Sequence, residues 1–344
     1  MPENDVSPPR NDILPPGQRP QRVGFLLLDG FALMSYASAV EPLRAANVLA
    51  GRELYAWRHF SVTGRPAAAS NGVSVAVDCA VGQAAGLDAL IVCAGGEPSL
   101  FDHGPTLARL RRLSRAGVRI GGVSGGPYVL ARAGLLGGYR CTIHWQHAAA
   151  LAEEFPDLDL RRSLYEIDRD RSTCAGGIAA LDMMADQIER DHGKALAMAV
   201  SEWHLRTQAR PEGASQRMAP AERFGVSSQK VVRALAYMEA HLEEPASVER
   251  LAAAAGSTVR QLQRLFLQHL GRTPMRHYLQ VRLERAQVLL RQTAMPRSAV
   301  ALACGFTSPD HFSRAYKARF ARSPGEERRR SARRSARAPR GSAT

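Results

Sequence analysis

The sequence predicts two domains of different class. The first is an α/β unit with a mainly parallel sheet and helices on both faces; the second is all-α and built on two helix-turn-helix units. Three observations carry this. Short continuous apolar runs alternate with helical periodicity up to about residue 205. Two Gly-punctuated helical hairpins follow, with Gly256 and Gly305 standing 49 residues apart. The charge is also split: residues 221–344 hold 23 Lys/Arg against 9 Asp/Glu, while residues 1–220 hold 23 of each. The whole net charge of +14 therefore lies in the last third, the electrostatic footprint of a domain that meets phosphates. At 344 residues the chain is long enough for two separate cores.

In chain order, residues 1–21 are Pro-rich with little to bury and are expected to form a disordered arm. Val23–Leu28 reads as a buried parallel strand, followed by a helix from about Met34 to Leu49 and strands near His59–Thr63 and Ala89–Cys93. Arg109–Ala116 is helical and Val118–Val123 is another buried strand. Cys141–His144, Leu164–Asp168 and Ser172–Cys174 read as short strands, and Ile178–His192 and Ala195–Leu205 as helices. This makes residues 22–205 one domain. Residues 206–227 lose apolar periodicity and gain Pro211, Gly213, Pro220 and Gly225, so they read as a linker. Residues 228–326 form the second domain. Residues 327–344 are Arg/Ser/Ala-rich, an expected disordered basic tail that either adds salt-sensitive affinity for DNA or is simply solvated.

In Val248–Gly271, Val248, Leu251, Ala252 and Ala255 recur at helical spacing. Gly256 breaks the run, and Ser257 or Thr258 offers a cap. A second stripe follows at Val259, Leu262, Leu265 and Phe266, leaving Arg260, Gln263 and Arg264 on the other face. Arg matches guanine and Gln adenine in the major groove, and all three side chains can take phosphate. A single unit of this kind is also compatible with a plain helical hairpin carrying a solvated basic face. A second copy follows, however. Ser298–Cys304 and Gly305-Phe306 precede Ser308 as cap, Pro309 in the first turn, and a stripe of Phe312, Ala315, Tyr316 and Phe320. Asp310, Ser313, Arg314 and Lys317 fall outside that stripe. Met275–Leu290 reads as one helix able to hold the two units at a fixed separation.

Ser228–Arg328 resembles the DNA-binding module of AraC-type transcription regulators. The resemblance rests on Gly305-Phe306, Phe312-Ser313-Arg314, Tyr316-Lys317, Phe320 and Ser323-Pro324-Gly325. It implies that both second helices enter successive major grooves, with Arg260, Gln263, Arg264, Asp310, Ser313, Arg314 and Lys317 facing bases or phosphates.

Gly122-Val123-Ser124-Gly125-Gly126 leaves a buried strand, enters the helix Pro127–Ala133, and fits the G-x-S-x-G elbow that exposes its central side chain. His144 follows at the end of the next strand, and Gly95-Gly96 can supply backbone N–H groups to the same spot. A Ser, a His and an oxyanion-type loop are the ingredients of acyl transfer.

Residues 22–205 resemble the PfpI-like domain, flavodoxin-like in fold and related to type 1 glutamine amidotransferases, of GlxA-type AraC regulators. The carrying residues are Gly30-Phe31, Glu41–Asn47, Gly121–Gly126, Ala133–Leu136, Thr142–Trp145 and Ala175-Gly176-Gly177. Enzymes of that superfamily place Cys where this chain has Ser124, and many place Glu near Ser35. A hydroxyl lacks the thiolate's availability at neutral pH. The expectation is therefore a retained, non-catalytic ligand pocket of Ser124, Gly125, His144, Trp145, Gly95 and Gly96, with no catalytic residue. A serine hydrolase or amidase fused to a DNA-binding domain is the alternative. Oriented N–H groups suit a carboxylate. The resemblance implies an amino acid or a quaternary amine such as a betaine or carnitine as effector. Trp145, Phe31, Tyr36 or Tyr165 either faces such a cation or packs in the core. Glu41-Pro42 either lines the pocket or pairs with Arg44.

Five scattered cysteines without metal-ligand spacing read as reduced thiols in a cytoplasmic protein, and His144 with His147 lacks a third ligand. No cofactor or metal is expected. Neither a run of about 18 apolar residues nor a signal-peptide pattern is present, so no membrane partner is expected. The expected partners are double-stranded DNA, a small effector, a second copy of the chain and, for an activator, RNA polymerase.

Overall fold

A computed structural model describes residues 19–208 and 210–337, with 331–337 by their backbone alone. By internal contacts the chain forms two units. One contains the chain up to His144 together with Asp157–Ala214; the other contains Trp145–Pro156 together with Ser215 onward.

In the first unit, seven strands form one sheet: β1 (Gln21–Leu27), β2 (Tyr55–Ser61), β3 (Cys79–Ala80), β4 (Ala89–Ala94), β5 (Arg119–Ser124), β6 (Tyr165–Asp168) and β7 (Arg171–Cys174). Their spatial order is β6-β7-β5-β4-β1-β2-β3. Every neighbouring pair is parallel except β6 with β7. The mainly parallel sheet read from the sequence is therefore present. Its helices are α1 (Leu33–Ala50), α2 (Gly104–Arg115) and α3 (Gly126–Arg132). After α4 (Trp145–Glu154), which groups with the second unit, come α5 (Ala179–His192) and α6 (Lys194–Trp203). Strand alternation sends Phe25, Leu27, Ile91, Cys93 and Val123 into one core with Leu43, Met183, Ile188 and Val200 of α1, α5 and α6. The chain leaves β1 toward β2 and returns to β4 on β1's other side. A crevice at the carboxyl ends of such strands is where this class of sheet binds ligands.

Three expectations change in the first unit. The arm does not reach residue 21, because Gln21 opens β1 and Arg19 pairs with Asp88 at 2.7 Å; the rest of the expected disordered arm, residues 1–18, lies outside the described residues. The strand expected at Cys141–His144 covers only Arg140–Cys141, and His144 instead stands directly before α4. Thr142 explains the break: its N–H donates to the Thr173 hydroxyl at 2.9 Å, and its own hydroxyl donates to the Arg161 and Ser163 carbonyls. Side-chain bonds thus replace a strand ladder there. The expected linker, finally, begins as part of the first unit. Arg206 Nε and Arg210 Nε donate to the buried Asp182 carboxylate at 2.7 and 2.9 Å, and Leu164 N–H donates to the Glu212 carbonyl. Loss of periodicity marks irregular backbone, which is not the same as a detached segment.

The second unit continues with α7 (Pro220–Phe224), α8 (Gln229–Ala240), α9 (Val248–Ala254), α10 (Val259–Leu270), α11 (Pro274–Gln292), α12 (Arg297–Ala303), α13 (Pro309–Phe320) and α14 (Pro324–Arg337). Among the described residues it has two small cores. Leu251, Leu262, Phe266 and Tyr278 join α8 to α11 in one; Leu283, Leu290, Val300, Phe312 and Tyr316 join α11 to α13 in the other. The long α11 is common to both. Residues 327–337, expected to be disordered, are helical in α14. Glu327, buried, anchors its first turn to Arg291 at 2.7 Å, and Arg and Ala favour helix once a turn is fixed. Residues 338–344 of the expected tail lie outside the described residues. No described helix is long and apolar enough to cross a membrane.

His277 on α11 is buried, with edge contacts to Phe224 and Phe266. Burial, aided by Arg272, lowers its pKa below the ordinary value of about 6.5. Below that pH the unfolded chain takes up a proton that the folded chain resists, so stability falls as pH falls. Thermal melts at pH 7.5 and 5.5 should show a larger drop for the wild type than for His277→Gln.

Candidate ligand pocket and nucleic-acid interface

Ser124 ends β5 with φ +59°, a left-handed conformation rare for a side-chain-bearing residue. Glycines make this turn possible. A Cβ on Gly126 would lie 2.1 Å from the Val92 carbonyl oxygen, and one on Gly122 would lie 2.8 Å from Pro127 N. The helix therefore starts almost on top of the sheet and turns Ser124 out of the strand line. This is the geometry of a nucleophile elbow.

Three segments meet Ser124. Ala94, its register partner on β4, leads directly into Gly95-Gly96, where Gly96 has φ +63°. His144 donates its backbone N–H to the Ser124 carbonyl at 3.3 Å. Gly176, φ +89°, passes so close that a Cβ there would lie 2.7 Å from both Ser124 Cβ and Ser35 Oγ. Gly177 N–H donates to Ser35 Oγ at 2.7 Å. Ser35, Gly176 and Gly177 thus wall the site, a role the G-x-S-x-G motif did not reveal; the Gly176-Gly177 pair, which forces a close approach, was the available signal. The Gly125 N–H donates to the Ala94 carbonyl at 3.0 Å, so Gly125 shapes the turn while its donor is already taken.

Two thiols flank the elbow, since Cys93 and Cys174 are both in register with Val123. Burial pushes the Cys93 thiol up, and pushes the Cys174 thiol up to about 12. Neither is a thiolate at neutral pH.

Of the sequence-read aromatics, Phe31, Tyr36 and Tyr165 are held by packing or hydrogen bonds. Phe31 is fully buried and packs edge-on against Tyr36, whose hydroxyl bonds His59 Nε2 at 2.8 Å. Burial, with Cys93 and Glu41 nearby, pushes the Tyr36 phenol up to about 12. Tyr165 is also buried. Trp145 is half-exposed at the start of α4 in the second unit, with the Arg217 guanidinium 4.7 Å from its ring centre. Glu41 pairs with Arg44 at 2.7 Å, which favours the structural reading of that residue. His147 is buried and bonds Gln292 at 3.0 Å.

In the second unit, Thr258 and Ser308 cap α10 and α13, accepting from Gln261 N–H and His311 N–H. Gly256 (φ +62°) and Gly305 (φ +71°) make the turns. Leu262 and Phe266 of α10, and Phe312 and Tyr316 of α13, are buried. Arg260, Gln263 and Arg264 are exposed on α10, as are Asp310, Ser313, Arg314 and Lys317 on α13. His311 is exposed in the first turn of α13 as well. It corresponds to Gln261, and aligning the two helices on their capping residues would have found it. Gln261 itself is engaged by Lys230 and Ser257.

A helix-turn-helix domain model matches residues 251–330, and the DJ-1/PfpI family model matches residues 21–189. The HTH-type transcriptional regulator CdhR of Pseudomonas aeruginosa is 47% identical over 305 residues, 88% of this chain and 90% of its own. The HTH-type transcriptional regulator GlxA of Rhizobium meliloti is 45% identical over 312 residues, 90% of this chain and 96% of its own. A solved ThiJ/PfpI family protein from Pseudomonas syringae is similar at TM-score 0.53 and 21% identity, over 74% of this chain and 97% of that one, a likeness of fold. The chain belongs to the AraC-type, GlxA-like family of helix-turn-helix transcriptional regulators, DNA-binding proteins that carry an N-terminal DJ-1/PfpI domain.

Proposed function

We propose that this chain is a sequence-specific transcriptional activator, acting in the cytoplasm as a homodimer that engages RNA polymerase, and switched by a small nitrogenous effector. α10 and α13 are its two readers, and the effector is an amino acid or quaternary amine held in the first unit. The observation that carries the DNA reading is the repeat. Two capped helices each bury an aromatic-containing stripe and expose an arginine at the matching position, Arg264 and Arg314, with polar neighbours around it. The test is a genome-wide pull-down of promoter fragments by the purified chain, with and without metabolite extract. Enrichment of discrete sequences supports the proposal, and uniform recovery defeats it.

The pocket reading is non-catalytic. Ser124 stands at a strained elbow, yet the side chain facing it across Gly176 is the Ser35 hydroxyl, a hydrogen-bond acceptor rather than a base. The thiols beside it are held protonated by burial. The Gly95-Gly96 turn, with His144 alongside, suits an effector carboxylate.

Ser124→Ala should leave effector-free DNA binding within about twofold of wild type, because the hydroxyl is remote in sequence from both readers. It should weaken the response to the effective member of a betaine, carnitine and amino-acid panel by about tenfold, the value of one hydrogen bond to a charged group. Gel-shift titrations at fixed effector concentration read both. An unchanged response removes Ser124 from the pocket. Turnover of ester or amide substrates would establish the hydrolase instead.

A further inference from the structure

Midway along α11, two buried polar side chains one turn apart, Tyr278 and Arg282, reach in different directions. The Tyr278 hydroxyl donates to the His241 carbonyl and accepts from Ala246 N–H at 3.4 Å. This pins the segment that leads from α8 into α9, the first helix of the first reader. The Arg282 Nε donates to the Cys304 carbonyl at 2.7 Å and its Nη2 to the Gly305 carbonyl at 2.5 Å. Its guanidinium also lies 4.3 Å from the centre of the Phe306 ring. Cys304, Gly305 and Phe306 are the turn of the second helix-turn-helix.

The two pinned segments also touch one another. A Cβ on Gly305 would lie 2.5 Å from Pro245 Cδ and 2.8 Å from the Glu243 carbonyl oxygen. The second reader's turn is therefore seated against the first reader's entry loop, and α11 holds both. Phe306 carries the position onward, because its ring packs against Phe312 at 5.1 Å, and Phe312 is the first buried residue of α13.

We propose that Arg282, with Tyr278, is the positioning residue that sets the distance and angle between α10 and α13, and so the operator spacing the protein accepts. Two rigid readers on one face of a duplex must arrive about one helical turn apart. An extra base pair moves the second target by about 3.4 Å and rotates it by about 35°. Apolar packing alone is non-directional and tolerates sliding. A fork of donors onto two successive carbonyls, with a ring stacked on its face, is directional, and lysine cannot reproduce it.

This rests on the reading that both helices contact DNA, and the experiment separates the two ideas. An operator is first selected from random duplexes with the full-length wild-type chain, and one base pair is then inserted between its two recognition segments. The wild type should lose at least about tenfold in affinity on the insertion, whereas Arg282→Lys should lose no more than about twofold. Circular dichroism checks that the variant is folded. Tyr278→Phe, which removes only the hydroxyl, gives a milder second variant whose insertion penalty should fall between those two. Equal penalties in wild type and both variants overturn the positioning role while leaving both readers intact. A wild type indifferent to the insertion overturns the two-reader reading, and the positioning role with it.

Discussion

Gly126→Ala should unseat the elbow and destabilise the first unit by about 3 kcal/mol, at the upper end of what overpacking costs. The added methyl would sit 2.1 Å from the Val92 carbonyl oxygen. That oxygen is fixed in the sheet, so no rotamer change relieves the contact, and α3 must move off β4 by about 1.3 Å or more before ordinary van der Waals distance is restored. Because α3 begins one residue after Gly125, the movement is delivered straight to Ser124. Gly137→Ala is the control, since a Cβ there meets nothing within 4 Å and the position is exposed. It should change stability by no more than about 0.5 kcal/mol. Thermal or denaturant melts of the two variants side by side decide the matter. A Gly126→Ala chain as stable as wild type would show that the elbow is less tightly seated than this close approach requires.

The second large effect lies in DNA binding. Arg264→Ala and Arg314→Ala should each cost about 1–3 kcal/mol on a selected operator if each side chain reads a base. They lie on separate helices in separate cores, so the losses should add, giving about 2–6 kcal/mol for the double variant. On the affinity scale that runs from about thirtyfold to beyond ten-thousandfold. The same variants on random duplex give the diagnostic comparison. A base reader loses affinity on the operator far more than on random sequence. A phosphate contact loses equally on both, and its removal flattens the salt dependence by about one counterion. Equal losses would keep the fold and family while moving that arginine from reader to anchor.

Much of this was written locally. Thr258, one of the two caps the sequence offered, and Ser308 both cap, Pro309 occupies the first turn of α13, and α11 runs unbroken through the Met275–Leu290 stretch. The seven exposed reader candidates follow from apolar stripes that fix the opposite face of each helix. The elbow was legible because glycines on both sides of a serine, at a strand end, leave few alternatives. Local composition misled where a residue's partner was distant. Arg206 and Arg210 sit in a Pro/Gly-rich stretch that reads as free chain, but Asp182 holds them. The Arg/Ser/Ala run after Gly325 reads as a disordered basic tail, but Glu327 fastens its first turn to Arg291, and helix propensity carries it on.

The chain's own order of residues was enough to establish the alternation of strand and helix, the twin capped hairpins and the placement of the charge, because backbone periodicity, caps and glycine turns act within a few residues. Only the folded molecule brought Gly176 to Ser124 and Ser35, and brought Pro245 to Gly305 under Tyr278 and Arg282. These contacts join segments far apart in sequence. They form where two elements come so close that a missing Cβ or a forked donor decides the fit, and no local pattern encodes that distance.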